Sequence, residues 1–212
     1  LSPEMIVKLA EELVIFHDEF RDAFCRVEQS IPGQYYLQGL LGEIRRKNVE
    51  AMALKYLGTS RVRSLQKFMT NYRWDDTVLL AKAQTMLSGL IAKEKGMITL
   101  DGSDIPKKGN ESVGVARQYC GNTGKTDNCQ AGVFVGYTSA KGYGLIEREL
   151  YMPEQWFSED YAERRAKCQV PEDLVFMTKN QIGLELISKI LDTKLFPAEW
   201  LGFRSEEHTS EL

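Results

Sequence analysis

At Gly96 the hydrophobic pattern changes period, and that change limits the fold more than any other feature of the chain. Upstream, apolar residues recur every three or four positions, the mark of helices packed by one face. Downstream, β-branched and aromatic residues alternate with glycine, the mark of strands. The pattern predicts a helical domain over residues 1–95 and an α/β domain over residues 96–203, with residues 204–212 set apart as a tail.

The helical half divides at its capping residues. Ser2-Pro3-Glu4 is a helix start, and Met5, Leu9, Leu13, Phe16, Phe20 and Phe24 predict one inward face. Pro32-Gly33 is expected to break that pattern. A second helix is expected over 34–57, carrying Arg45, Arg46 and Lys47 in its middle and closed by Gly58. Further helices are expected over about 60–72 and about 74–93. Arg61 and Arg63 begin the first of these. No base-reading helix-turn-helix stands out. The basic residues suit a solvated helix face or contact with phosphates, and the sequence leaves both open.

In the second half, 128–138 and 143–151 read as strands joined by a turn, a hairpin. A short charged helix is expected over 160–168 and a longer one over 181–191, and 196–202 begins another strand. Strand, loop, strand, strand, helix, strand suits a sheet whose first three strands are antiparallel and whose helix crosses to the next. Trp156, Trp200 and Tyr151 are expected in the core.

Residues 97–109 carry the candidate chemistry. The apolar run 97–100 reads as a buried strand that ends on Asp101, with Asp104 three residues later. Pro106 and Gly109 are expected to break the strand beside Lys107 and Lys108. A carboxylate at the end of a buried strand, next to a basic turn, is one way to hold a metal ion against a phosphate. Asp-Gly-Ser-Asp is equally ordinary turn chemistry. Lys107, Lys108, Arg117 and Lys125 fall in the loop after Asp101 and are expected to form a basic rim around it.

Other motifs are weaker. Gly121-Asn122-Thr123-Gly124-Lys125-Thr126 matches half of a phosphate-binding loop. It has Tyr119 where the pattern needs glycine and a strand where it needs a helix, so it reads as a solvated basic turn. Cys25, Cys120, Cys129 and Cys168 form no Cys-x-x-Cys pair, which argues against structural zinc and for free thiols in a reducing cytoplasm. The two histidines, His17 and His208, support no Ser-His-Asp or Cys-His arrangement.

Charge excludes a globally basic nucleic-acid binder. The chain has a net charge of −3, and residues 204–212 contribute one Arg and three Glu, so the remainder stands at −1. A nucleic-acid site must then be a local patch. The tail, Arg-Ser-Glu-Glu-His-Thr-Ser-Glu-Leu, looks like translated sequencing adapter and is left out of the fold prediction. The chain begins at Leu1 rather than Met, so its N-terminus reads as cut. No apolar run is long enough for a membrane span.

Taken together, the segments Leu-Asp-Gly-Ser-Asp-Ile-Pro-Lys-Lys-Gly (100–109), Ser-Val-Gly-Val-Ala-Arg-Gln-Tyr-Cys-Gly (112–121), Asn-Cys-Gln-Ala-Gly-Val-Phe (128–134), Glu-Leu-Tyr-Met-Pro-Glu-Gln-Trp (149–156) and Thr-Lys (178–179) resemble bacterial insertion-sequence DDE transposases. The resemblance is to the IS-seven-oh-one-like branch of the IS-four superfamily. It extends upstream through Tyr36-Leu37-Gln38-Gly39-Leu40-Leu41 and Arg46-Lys47-Asn48.

The resemblance implies a ribonuclease H-like catalytic domain behind a helical DNA-binding domain. It implies DNA as partner, at element ends and target, with self-association also expected, and a bacterial, nucleoid-associated cytoplasmic location. Members hold Mg²⁺ or Mn²⁺ with two Asp and one Glu. The first acid corresponds to Asp101, and Asp104 is an ambiguous neighbour because Gly102-Ser103-Asp104 stands where many members have Thr-Gly. Lys107, Lys108, Arg117, Lys125, Arg45, Arg46 and Lys47 are the DNA-contacting residues expected. The second acid belongs just beyond a segment like Trp200-Leu201-Gly202, where the tail begins, so Glu206, Glu207 and Glu211 are not promoted to it. The fragment is therefore expected to be inactive on its own. A non-catalytic DNA-binding module and a different ribonuclease H-like nuclease are the alternatives.

Overall fold

The computed structural model describes residues 2–203. The expected adapter-like tail lies outside the described residues. The chain divides into two compact units, Leu1–Lys82 and Ala83–Leu212. Among the described residues, no helix is long and apolar enough to cross a membrane.

The first unit is helical. Helix α1 (Pro3–Asp18) starts as expected: the Ser2 hydroxyl accepts the Met5 N–H at 3.4 Å and Pro3 takes the first position. Its expected inward face is not buried. Met5 and Leu9 are exposed, and so are Val7, Val14 and Ile15, because the apolar residues are spread around the helix. Phe20 and Phe24 lie beyond its end, and Phe24 bridges to Trp74.

Helix α2 (Val27–Leu41) runs through Pro32 and Gly33 instead of starting after them. Proline here costs one intrahelical bond, but both residues are buried. A Cβ on Gly33 would lie 2.9 Å from Phe24 Cζ, so glycine admits that ring. The expected helix over 34–57 is really two. Gly42 ends α2 in extended geometry, and α3 (Val49–Tyr56) begins after an Asn48 cap whose Oδ1 accepts the Ala51 N–H at 2.8 Å. Ile44 keeps helical spacing across this break but packs on the core from a loop. Gly58, at φ +80°, turns the chain through a 3-10 turn into α4 (Val62–Thr70). Met52 and Ala53 of α3 and Leu65 and Phe68 of α4 form the buried core. Trp74 stacks on Phe68 at 5.9 Å. Helix α5 (Asp76–Ile91) leads into the second unit.

The second unit is built on a mixed five-stranded sheet. Its strands are β1 (Gly96–Pro106), β2 (Ala116–Cys120), β3 (Lys125–Ser139), β4 (Gly142–Tyr151) and β5 (Ala198–Phe203). The order is β2-β3-β1-β5. Strand β4 follows β2 along the same edge of β3, since β2 pairs with 125–129 and β4 with 131–139. Among the described strands, the one parallel pairing is that of β5 with β1. The expected β3–β4 hairpin is present. Strand β2 occupies what was expected to be loop, and the Gly121–Gly124 segment is the turn of a β2–β3 hairpin.

The crossing from β4 to β5 includes α6 (Ala162–Lys167) and α7 (Lys179–Thr193). Helix α7 opens on a capping box between Thr178 and Gln181. It lays Ile182, Leu186, Ile187 and Ile190 on Ile98, Val133, Val135, Tyr137 and Ile146. At Gly183 an added Cβ would stand 2.3 Å from Leu100 Cδ2, so glycine sets how closely α7 approaches β1. The opposite face of the sheet carries Met97, Ile105, Tyr143, Leu145 and Trp200, all exposed. Trp156 is fully buried and donates Nε1–H to the Val115 carbonyl at 2.9 Å, as a core tryptophan should. Tyr151 is half-buried against the core. Trp200 departs from expectation: it pairs with Met97 on the open face, 71% exposed.

Candidate active site and basic surfaces

Asp101 lies inside β1, not at its end. The apolar run stops at Leu100, but pairing with β3 continues to Pro106. One-sided burial explains this: beyond Leu100 the open face is free to carry polar residues, while on the α7 face Gly102 and the hydrogen-bonded Asp104 continue the strand. Parallel pairing with β5 reaches Leu100↔Phe203, so Asp101 is the next residue along. Its Oδ1 accepts the Gly102 N–H at 2.8 Å. It is exposed on the open face, in a row with Phe134 and Arg148. That row could not be read from sequence, because it depends on the β1–β3–β4 register.

Asp104 points the other way. Three residues along a strand reverse the face. Asp104 is 8% exposed beneath α7. Its Oδ2 accepts the Gly121 N–H at 2.8 Å, and its Oδ1 lies 3.9 Å from Lys179 Nζ. That ammonium also sits 5.5 Å over the Tyr151 ring. Cys120 and Cys129 are buried in the same region. Burial pushes the Cys129 thiol up to about 11, with Cys120 and Asp104 adding to the shift and Lys179 opposing it. Asp104 thus ties β1, the β2–β3 hairpin and α7 together. One ion cannot take both Asp101 and Asp104.

The basic residues do not converge on Asp101. Lys107 and Lys108 lie in the loop after β1, and Asn128 accepts the Lys107 backbone N–H through its carbonyl at 2.8 Å. Arg117 is on β2 and Lys125 opens β3, so both belong to the hairpin and not to a loop. Asp101 pairs with Phe134 and Arg117 with Asn128, six residues further along β3. At strand rise that is about 20 Å. The expected rim is a separate basic surface at the far end of β1. Arg45, Arg46 and Lys47 occupy the exposed loop between α2 and α3, not a helix.

Divalent-ion chemistry of the expected kind needs several oxygen ligands around each ion. Among the described residues, no group of three or more His, Cys, Asp or Glu side chains is placed to hold a metal ion. Asp101 brings one carboxylate, with Thr99 and Ser103 on the same face. This donor set does not fit a two-metal centre.

A parallel strand whose described pairing reaches the residue before an exposed carboxylate, on a mixed sheet preceded by a helical unit, agrees with the family comparison. A profile of the DDE superfamily endonucleases matches residues 19–199, and the chain belongs to that family. Nucleases of this family are typically metal-dependent. Over 185 residues the chain is 28% identical to a protein of Microchaete diplosiphon named as the probable transposase for insertion sequence element IS701. The match covers 81% of this chain and 44% of that protein, so the chain spans less than half of its relative's length. No solved structure matches.

Proposed function

We propose that this chain is part of an insertion-sequence DDE transposase, with the helical residues 1–95 binding DNA and residues 96–203 forming the first portion of a ribonuclease H-like catalytic domain. The observation that carries the reading is the position of Asp101: exposed, on the strand flanked by an antiparallel and a parallel neighbour, one residue past the described pairing of β5. The sheet order supports the ribonuclease H-like assignment, since three antiparallel strands are followed by a helical crossing to a parallel fourth.

The reaction proposed for the complete protein is in-line displacement at phosphorus. Water or a 3′-hydroxyl attacks, and the opposite 3′-oxygen leaves. Asp101 supplies one of the carboxylates that this chemistry needs, and the other two acids belong to sequence beyond Phe203. The Mg²⁺ or Mn²⁺ requirement of the family goes with that complete set. Residues 2–203 are therefore inactive alone. DNA ends and target DNA are the partners, self-association is expected of the complete protein, and the location is the bacterial cytoplasm at the nucleoid.

The test uses a longer chain from the parent reading frame, incubated with supercoiled plasmid carrying the element. Asp101→Asn abolishes strand cleavage and leaves DNA retention intact in a gel shift. Cleavage that survives the substitution removes Asp101 from the site. Cleavage by the 212-residue chain itself refutes its proposed inactivity.

A further inference from the structure

Helices α3 and α4 form a helix-turn-helix pair that the sequence did not reveal. They are eight and nine residues long. They are joined by Leu57, Gly58 at φ +80° and one 3-10 turn, and Met52, Ala53, Leu65 and Phe68 lock them together. Helix α2 packs behind them, with Gly39 so near Met52 that a Cβ would lie 2.8 Å from its Cγ.

Charge is concentrated on this motif. Residues 44–74 contain eight Lys and Arg (Arg45, Arg46, Lys47, Lys55, Arg61, Arg63, Lys67, Arg73) and one acid, Glu50, a net +7 within a chain of −3. Among the described residues, none of these eight cations is in an ion pair with a carboxylate. Glu43, Asp75 and Asp76 border this stretch, so the positive excess is confined to it. Two of the lysines fix the preceding loop: Lys47 Nζ donates to the Leu40 carbonyl, and Lys55 Nζ to the Glu43 carbonyl at 2.5 Å. Arg45 and Arg46 are exposed on that ordered loop.

Helix α4 has two distinct faces. Leu65 and Phe68 point inward, and Arg63, Gln66 and Lys67 point to solvent at helical spacing. Thr70 is committed elsewhere, donating from its hydroxyl to the Gln66 carbonyl at 3.0 Å. Arg and Lys match guanine O6 and N7, and Gln matches adenine N6 and N7, in the major groove. A short helix presented by its partner helix, with such groups along its exposed face, is the geometry that enters that groove.

We infer that α4 is a base-reading helix, which docks in the major groove of duplex DNA and reads it through Arg63, Gln66 and Lys67 while Arg45 and Arg46 hold flanking phosphates. The inference rests on the proposed DNA-end binding and assigns its sequence specificity to one surface. Arg63, Gln66 and Lys67 are exposed, so their replacement should leave the fold intact, which circular dichroism checks.

The test is selection from a library of random-sequence DNA duplexes by the full 212-residue chain at low salt. Wild type enriches a motif. Arg63→Ala and Gln66→Ala each relax it, with preference for the selected over a scrambled duplex falling about tenfold. Arg45→Ala with Arg46→Ala weakens all duplexes alike and reduces the slope of log affinity against log salt by about 2. Variants at 63, 66 and 67 that enrich the wild-type motif overturn the inference while leaving DNA-end binding in place. Wild type that binds duplex DNA without enriching any motif overturns it too, and leaves the strand chemistry to its own cleavage assay.

Discussion

Lys179 Nζ stands 3.9 Å from Asp104 Oδ1, on the face of β1 opposite to Asp101. The two acids of a single four-residue turn-like string therefore have different work. Asp104 is shut under α7, and Asp101 faces outward.

Removing the cation from this pair leaves a buried carboxylate with the Gly121 N–H as its hydrogen-bond donor. Lys179 is about one-third exposed, so solvent offsets part of the loss. Lys179→Met is expected to lower unfolding free energy by about 1–3 kcal/mol, read as a lower urea midpoint. Adding Asp104→Leu should recover part of it, because no charge then stays buried, although the Gly121 N–H loses its acceptor. An unchanged midpoint in the single variant would deny the pair its structural role.

Asp101→Asn makes the opposite prediction. The side chain is exposed, so stability should stay within about 0.5 kcal/mol of wild type. The same urea titration compares the two acids directly. A large loss at Asp101 would mean that the carboxylate holds the sheet together rather than standing ready for chemistry.

The change of period at Gly96, the helix start at Ser2 and the β3–β4 hairpin were legible because each is local chemistry: a spacing, a cap or a turn, whereas the Thr178 cap lies three residues before the helix expected from 181. The positions of the charged residues were not. Ile44 continues helical spacing across Gly42 because it reaches the core from a loop, so Arg45, Arg46 and Lys47 seemed to be helical. Asp101 seemed to end a strand because the apolar run ends there, while pairing with β3 extends β1 five residues further. Arg148 joins the row of Asp101 only through a long-range register, and no local signal carries that. The exposure of Trp200 follows from the face β5 presents, which hydrophobicity alone assigns wrongly.

Thiol reactivity should divide the four cysteines. Cys120 and Cys129 are buried, and Cys129 is held near 11, far from thiolate at neutral pH. Cys25 is exposed and Cys168 half-buried. An aromatic disulfide reagent at pH 8 should label Cys25 and Cys168 in the native chain, and all four in denaturant. Rapid native labelling of Cys129 would contradict the packing of β2, β3 and α7.

His17 should make the helical unit acid-sensitive. Its ring stacks on Phe24 at 5.8 Å, and its Nε2 is buried without a hydrogen-bond partner. Burial holds its pKa below the ordinary histidine value, with the charge of Asp18 opposing. The folded pKa is the lower one, so between the two values the unfolded chain binds more protons and stability rises with pH. Stability should begin to fall as pH drops through about 6.5, the unfolded value, and this loss should level off below the folded pKa. His17→Leu should flatten the thermal midpoint across that window. An equal slope in the variant would assign the effect to other groups.

The contact that positions Asp101 is one residue away, where Leu100 fills the space left by the missing side chain of Gly183. A Cβ there would lie 2.3 Å from Leu100 Cδ2 and 3.2 Å from Cδ1, too close for either methyl to stay. Leu100 would have to leave its rotamer or α7 would have to lift from β1. Gly183→Ala is therefore expected to cost about 1–3 kcal/mol, against a gain of about 1 kcal/mol from helix propensity. Leu100→Ala alone opens a cavity and costs about 2–5 kcal/mol. In the double variant the new methyl occupies part of that cavity, so the combined loss should be smaller than the sum. Urea unfolding of the four proteins gives the coupling between the two sites. Simple additivity would mean that α7 and β1 do not meet at this point, and Gly183 would then have no part in fixing the strand that carries Asp101.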